Sequence, residues 1–256
     1  MKEKAILVVS FGTSYKETRE KTITAIENSL QEAFLDYKVY RAFTSKIIKR
    51  KLEREGILVF DVKEALEQML FDGITELLVQ PTHIINGVEY DLMMEELKPY
   101  LNKFMTVRYG QPLLTSEDDY KELATIIRKE YPVDEDEVLV LMGHGSDHHA
   151  NSAYPAFEYV LRDMDYHNIL VGTVEGYPAF SEVKKQLKKK KTKKVCLAPM
   201  MIVAGDHANH DMIGEEDSWK VDLEQEGYEV RYYMKGLGEL LEVQNMFIRH
   251  AKETFV

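Results

Sequence analysis

The sequence predicts an α/β protein of two similar doubly wound domains, each with a four-stranded parallel sheet flanked by helices, facing each other across a cleft. Three observations lead there. Short apolar, β-rich runs alternate with longer amphipathic stretches, the pattern of βα units that build parallel sheets. A weak internal repeat divides the eight expected strands into two sets of four. Between the sets lies Tyr131-Pro-Val-Asp-Glu-Asp-Glu137, an acidic, Pro-containing stretch of linker character.

The expected strands are Ala5 to Ser10, Lys38 to Phe43, Glu76 to Gln80, Met105 to Tyr109, Val138 to Met142, Ile169 to Val174, Lys194 to Ala198 and Glu229 to Tyr233. The apolar run of the first is short and no small-residue cleavage site follows it, so it reads as a buried strand and not as an export signal. Ser14 with Glu17, Asp61 with Glu64 and Ser116 with Asp119 have the spacing in which a helix-start side chain satisfies orphan amides. Gly73 and Gly227 sit where helices should stop. The first domain is placed at 1–131 and the second at 132–236. A terminal segment, 237–256, with a helix expected from Leu237 to Glu253, returns to pack on the first half.

The repeat lays Leu7-Val-Val-Ser-Phe11-Gly-Thr-Ser14 on Val140-Leu-Met-Gly-His144-Gly-Ser-Asp147. A second pair sets Gln80-Pro-Thr-His-Ile-Ile-Asn-Gly87-Val-Glu89 on Ala198-Pro-Met-Met-Ile-Val-Ala-Gly205-Asp-His207, sharing the Pro, an Ile and the Gly. Ligands of open parallel sheets gather beyond the carboxyl ends of the strands, so those loops are where chemistry is expected.

Composition bounds the function. The formal charge of −11 gives no general electrostatic support for binding nucleic acid or an anionic membrane, and an anionic ligand would need a local basic pocket. One cysteine, Cys196, excludes an intrachain disulfide and, with no export signal, points to the cytoplasm. No apolar stretch approaches the roughly 18 to 20 residues that span a bilayer. A homo-oligomer is compatible with all of this.

Three polar residues fall just after strands of the second half: His144, Glu175 and His207. Two imidazoles and a carboxylate at one sheet edge suit a borderline divalent cation with coordination positions left open, and either histidine could take up a proton near neutral pH. The same placement also suits hydrogen-bonded loop residues with no ligand. His148, His149 and His210 crowd these loops, with His210 three residues beyond His207, which would put both on one helical face. His83 reads as structural, and His167 and His250 read as surface positions.

Several familiar sites are excluded. Gly143-His-Gly145 is followed by His148 where a dinucleotide fingerprint needs Gly, and no Gly-rich loop ends in Gly-Lys-Ser/Thr, so neither a nucleotide nor an organic cofactor is expected. His144-Gly-Ser-Asp147 lacks the frame of a nucleophile elbow. Cys196, inside an apolar strand, reads as an inert thiol. The basic run from Lys184 to Lys194 ends an expected helix and reads as a solvated face complementing its dipole.

The blocks Ser10-Phe-Gly-Thr-Ser14, Arg41-Ala-Phe-Thr-Ser45, Met142-Gly-His-Gly-Ser146, Val174-Glu-Gly-Tyr-Pro178 and Ala198-Pro-Met-Met-Ile-Val-Ala-Gly-Asp-His-Ala-Asn-His-Asp211 resemble the anaerobic cobaltochelatases of cobalamin biosynthesis, a branch of the class II tetrapyrrole chelatases. The resemblance implies two α/β domains around a tetrapyrrole cleft and ATP-independent insertion of Co(II), the bound substrate metal, into a sirohydrochlorin-type macrocycle. It also implies that His144, Glu175 and His207 hold the metal, with His144 and His207 doubling as proton acceptors. Glu89, opposite His207 in the repeat, could add a carboxylate from the first domain. The macrocycle's own carboxylates require compensation, for which Arg41 and Lys46 are candidates, with hydroxyls and amides of Ser10, Thr13, Ser14, Thr44 and Ser45. Insertion of Fe(II) or Ni(II) into the same macrocycle, or a non-catalytic cytoplasmic carrier of metal or tetrapyrrole, remain alternatives, because affinity order does not separate these ions.

Overall fold

A computed structural model describes residues 3–255 of the chain. In order, its elements begin with β1 (Glu3–Ser10), α1 (Lys16–Arg19), a π-helical turn (Glu20–Thr24), α2 (Ala25–Ala33), β2 (Lys38–Phe43), α3 (Lys46–Arg54), α4 (Val62–Phe71), β3 (Ile74–Pro81), α5 (Val88–Leu97) and β4 (Thr106–Tyr109). They continue with α6 (Glu117–Glu130), β5 (Glu137–Gly143), α7 (Ala153–Asp163), β6 (Ile169–Thr173), α8 (Phe180–Lys189), β7 (Lys194–Pro199), a second π-helical turn (Ala208–Met212), α9 (Trp219–Gln225), β8 (Glu229–Tyr232) and α10 (Leu241–Glu253).

All eight expected strands form, in two four-stranded parallel sheets of order β2-β1-β3-β4 and β6-β5-β7-β8. The identical order is the internal repeat made physical. Central strands read as unbroken apolar runs because helices cover both faces: every residue of β5 is buried, whereas β4 and β8, at sheet edges, are more open. Each fully buried Val or Leu on these strands contributes about 1.5–3 kcal/mol relative to exposure.

The chain divides into two compact units, the first running to Thr115 and resuming at Leu241, the second from Ser116 to Leu240. The division falls ahead of α6, not after it as the composition of Tyr131 to Glu137 suggests, because α6 packs on α7 of the second unit, where Tyr120 approaches Phe157 at 6.2 Å between ring centroids. The returning α10 lies against α2 and β3 of the first unit, with Val243, Met246, Phe247 and Ala251 buried and Ser29 donating to Gln244. It starts at Leu241, not Leu237, since Leu237 to Glu239 form a separate 3-10 turn.

Two of the three expected capping boxes form, at Asp61 with Glu64 and at Ser116 with Asp119. The third does not: α1 begins after Tyr15, whose amide donates to Thr13 Oγ1 at 3.2 Å, so Ser14 caps nothing. Among the described residues no helix is long and apolar enough to cross a membrane.

Candidate metal centre

In each unit the first strand connects outward to one side and the third to the other, which opens a topological switch point beyond the carboxyl ends of β1 and β3, and of β5 and β7. In the second unit this is where the imidazoles emerge: His144 directly after β5, His207 after β7, with Glu175 following the neighbouring β6. Each offers one ligand atom, and the three atoms lie within 4.8 Å of one another. The rings of His144 and His207 meet edge to face at 4.6 Å, and His144 Nδ1 is 3.9 Å from Glu175 Oε2. Side-chain exposures of 42%, 60% and 31% for His144, Glu175 and His207 leave the group accessible to an incoming molecule.

The loops are held together by their own main chains. Glu175 N donates to the His144 carbonyl at 2.8 Å, tying the β6 loop to the β5 loop. Asn151 clamps both: its Oδ1 accepts from Ser146 N at 3.0 Å and its Nδ2 donates to the Tyr177 carbonyl at 2.6 Å. Tyr154, buried beneath the loop, packs its ring where a side chain on Gly143 would be, and the backbone amides of His144 and Gly145 face its hydroxyl. Gly145 turns the chain at φ +82°, and Gly12, at the equivalent place of the first unit, does so at φ +101°. Asn151 and Tyr154 are the residues the motif reading missed; nothing in their spacing marks them. His207 leads into the second π-helical turn, which Ala208 and Met212 anchor in the core, a conformation often found at functional positions.

The other histidines are placed elsewhere. His210 does not join His144, Glu175 and His207; its Nδ1 lies 3.0 Å from the Asp206 carbonyl. His148 and His149 lie against each other at 4.0 Å, and His148 Nδ1 accepts from Ala150 N, capping a short 3-10 turn. His250 is not a surface residue: it is 2% exposed on the inner side of α10, 3.1 Å from the Gln111 carbonyl. Burial pushes the Cys196 thiol up to about 12, consistent with an inert side chain.

His83, just after β3, keeps both ring nitrogens out of solvent without a protein partner, and burial pulls its pKa from 6.5 down to about 4. The folded chain therefore holds it neutral while the unfolded chain protonates it. Stability is expected to be lost as pH falls from about 6.5 to about 4, by as much as roughly 3 kcal/mol. Urea unfolding at pH 7 and pH 4 should show a smaller pH effect in His83→Leu than in the wild-type chain.

The first unit uses its switch point differently. Ser10 and Thr82 close it with a hydrogen bond of 2.8 Å between buried hydroxyls, and Phe11, opposite His144 in the repeat, is 45% exposed. Thr13 is buried, accepting from Tyr15 N and lending its carbonyl to Arg19 at 3.0 Å. Ser14 is half-buried at the loop, and Ser45 caps α3 by accepting from Ile48 N. Arg41 is not a free fork for a ligand carboxylate, because its guanidinium is taken by Glu27 and by Thr24 Oγ1. Thr44 Oγ1 and Glu89 Oε2 are buried with no protein partner; Glu89 stands in the first turn of α5. A basic patch does occur on this unit: α3 carries Lys46, Lys49, Arg50, Lys51 and Arg54, starting at the carboxyl end of β2. Lys49 is committed to Asp61 and Glu64, while Lys46, Arg50, Lys51 and Arg54 are exposed.

Two doubly wound units, one bearing an open His-Glu-His group at its strand ends, define a metal-handling α/β protein of the chelatase kind. The model of the cobalt chelatase (CbiK) family matches residues 4–256, and the chain belongs to that family. It is 38% identical over 254 residues to the sirohydrochlorin cobaltochelatase of Salmonella typhimurium, covering 98% of this chain and 96% of the relative. It is 31% identical over 255 residues to the sirohydrochlorin cobaltochelatase CbiKC of Nitratidesulfovibrio vulgaris, covering 98% and 90%. The fold matches the structure of SirB from Bacillus subtilis with Fe3+ at a TM-score of 0.67, covering 98% of this chain and 95% of that one, at 17% identity.

Proposed function

We propose that this chain inserts Co(II) into sirohydrochlorin without a nucleotide, as a step of anaerobic cobalamin biosynthesis. The observation that carries the reading is the convergence of His144, Glu175 and His207 within 4.8 Å, in a member of the cobalt chelatase family. The cobaltochelatase names of the relatives at 38% and 31% identity support the substrate.

The chemistry follows from the donor set. Insertion exchanges one divalent ion for two pyrrole protons, so charge balances. His144, Glu175 and His207 bind the entering ion as an incomplete shell: two neutral nitrogens and one carboxylate leave positions that the four ring nitrogens can take over. A closed four-ligand site would hold the metal too well. As the metal leaves for the ring, the imidazoles become free to accept the displaced protons. Glu175, the most exposed of the three, compensates part of the cation's charge during the transfer. The exposed cations of α3, Lys46, Arg50, Lys51 and Arg54, supply the local positive charge that a polycarboxylate ligand needs on a chain of net charge −11. The net charge of −11 gives nucleic acid no general electrostatic support, and we place the enzyme in the cytoplasm.

Mixing the protein anaerobically with metal-free sirohydrochlorin and Co(II) should shift the macrocycle's absorbance faster than in a protein-free control. A rate equal to the control would overturn the assignment, and parallel runs with Fe(II) and Ni(II) rank the metals.

A further inference from the structure

We propose that Asp211 is the positioning residue that presents His207 to the metal. The inference rests on the metal-centre reading above and adds to it a residue outside the His-Glu-His group. His207 Nδ1 lies 2.8 Å from Asp211 Oδ2. A carboxylate oxygen only accepts, so the ring proton sits on Nδ1 and the lone pair of Nε2 is left for a ligand. His144 reaches the same tautomer by another route, since its Nδ1 is 2.9 Å from the Gly145 carbonyl, which also only accepts.

The two arrangements differ in what enforces them. The partner of His144 is main chain, fixed by the loop that Asn151 and Tyr154 brace. The partner of His207 is a side chain four residues further along, brought back onto the ring by the π-helical turn Ala208–Met212. The same turn sorts its two acid–imidazole pairs: His207 with Asp211, and His210 with Asp206, at 3.3 Å between His210 Nδ1 and Asp206 Oδ1. Only the first pair includes a member of the metal-binding group. Without Asp211, the His207 ring can rotate and can place its proton on either nitrogen, so part of the population offers the metal an N–H. Loss of such a partner costs about 10- to 100-fold in metal affinity.

The test uses Co(II) alone, with no macrocycle, titrated into the full chain and followed by the visible absorption of the bound ion. Asp211→Ala is expected to weaken binding about 10- to 100-fold, Asp211→Glu to recover most of it, and Asp206→Ala to bind as wild type. Should Asp211→Ala fail to fold, Asp211→Asn replaces it. Its amide N–H can donate to Nδ1 and turn the ring to the wrong tautomer, so it too is expected to bind Co(II) more weakly. An alanine variant, or the asparagine variant in its place, with wild-type affinity and an unchanged spectrum would overturn the inference while leaving the metal centre standing. A His207→Ala chain that binds Co(II) like wild type would overturn both.

Discussion

His144→Ala is expected to insert Co(II) into sirohydrochlorin about 10²- to 10⁴-fold more slowly than the wild-type chain, the range associated with loss of a positioned proton-transfer group. The change removes one of two imidazoles from the His-Glu-His group and leaves the backbone that braces it, because the loop is held through Glu175 N to the His144 carbonyl and through Asn151. Thermal unfolding should therefore stay close to wild type while the initial rate of macrocycle metallation collapses. The two readouts together separate loss of chemistry from loss of fold, and a variant that keeps the wild-type rate would sink the assignment of His144.

Gly145→Ala is expected to damage the fold and the His-Glu-His group together. Its φ of +82° is a left-handed conformation that costs an L-residue about 1–2 kcal/mol. A methyl group there would stand 2.7 Å from Gly176 N and 2.7 Å from Thr173 Cβ, and the first of these is main chain that cannot rotate away. Overpacking of this kind adds about 1–3 kcal/mol. Relief comes only by separating the loop that carries His144 from the loop that carries Glu175, so Co(II) binding should fall along with the unfolding midpoint. Gly227→Ala is the matched control: φ is +83°, but nothing lies within 4 Å of the added carbon, so it meets the conformational cost alone. Equal destabilisation of the two variants would refute the close-approach explanation.

Much of this architecture was legible in the residues because parallel strands buried on both faces announce themselves as unbroken apolar runs. β1 and β5 could hardly be read otherwise, and strand ends locate loops, so the sequence alone sets His144, Glu175 and His207 on one sheet edge. Side-chain partnership was not legible. Arg41 looks available for a ligand carboxylate until Glu27, fourteen residues earlier on a packed helix, is seen to hold it. His207 and His210 look like a pair at helical spacing, but a π-helical turn changes which side chains superpose, and each ring finds an aspartate instead. Asp211 was visible four residues after His207; the spacing signal was present, and its reading depended on the turn. The burial of His250 is not legible locally, because α10 returns to a unit whose other residues, such as Gln111, lie more than a hundred positions upstream. The basic helix α3 carries no run of charge as long as that from Lys184 to Lys194, and what sets it apart is its place at a strand end, which only Lys46 indicates in the sequence.

The return of α10 has a consequence for the order in which the molecule is made. The second unit is one uninterrupted stretch, Ser116 to Leu240, and possesses all its parts once Leu240 has left the ribosome. The first unit, although translated earlier, lacks the helix that buries Phe247 and Met246 against it until synthesis has passed through the whole of the second. Domains ordinarily fold from the amino terminus forward during translation. In this chain a helix made after the second unit completes the unit made before it, so the unit bearing the His-Glu-His group can finish folding while its predecessor still waits.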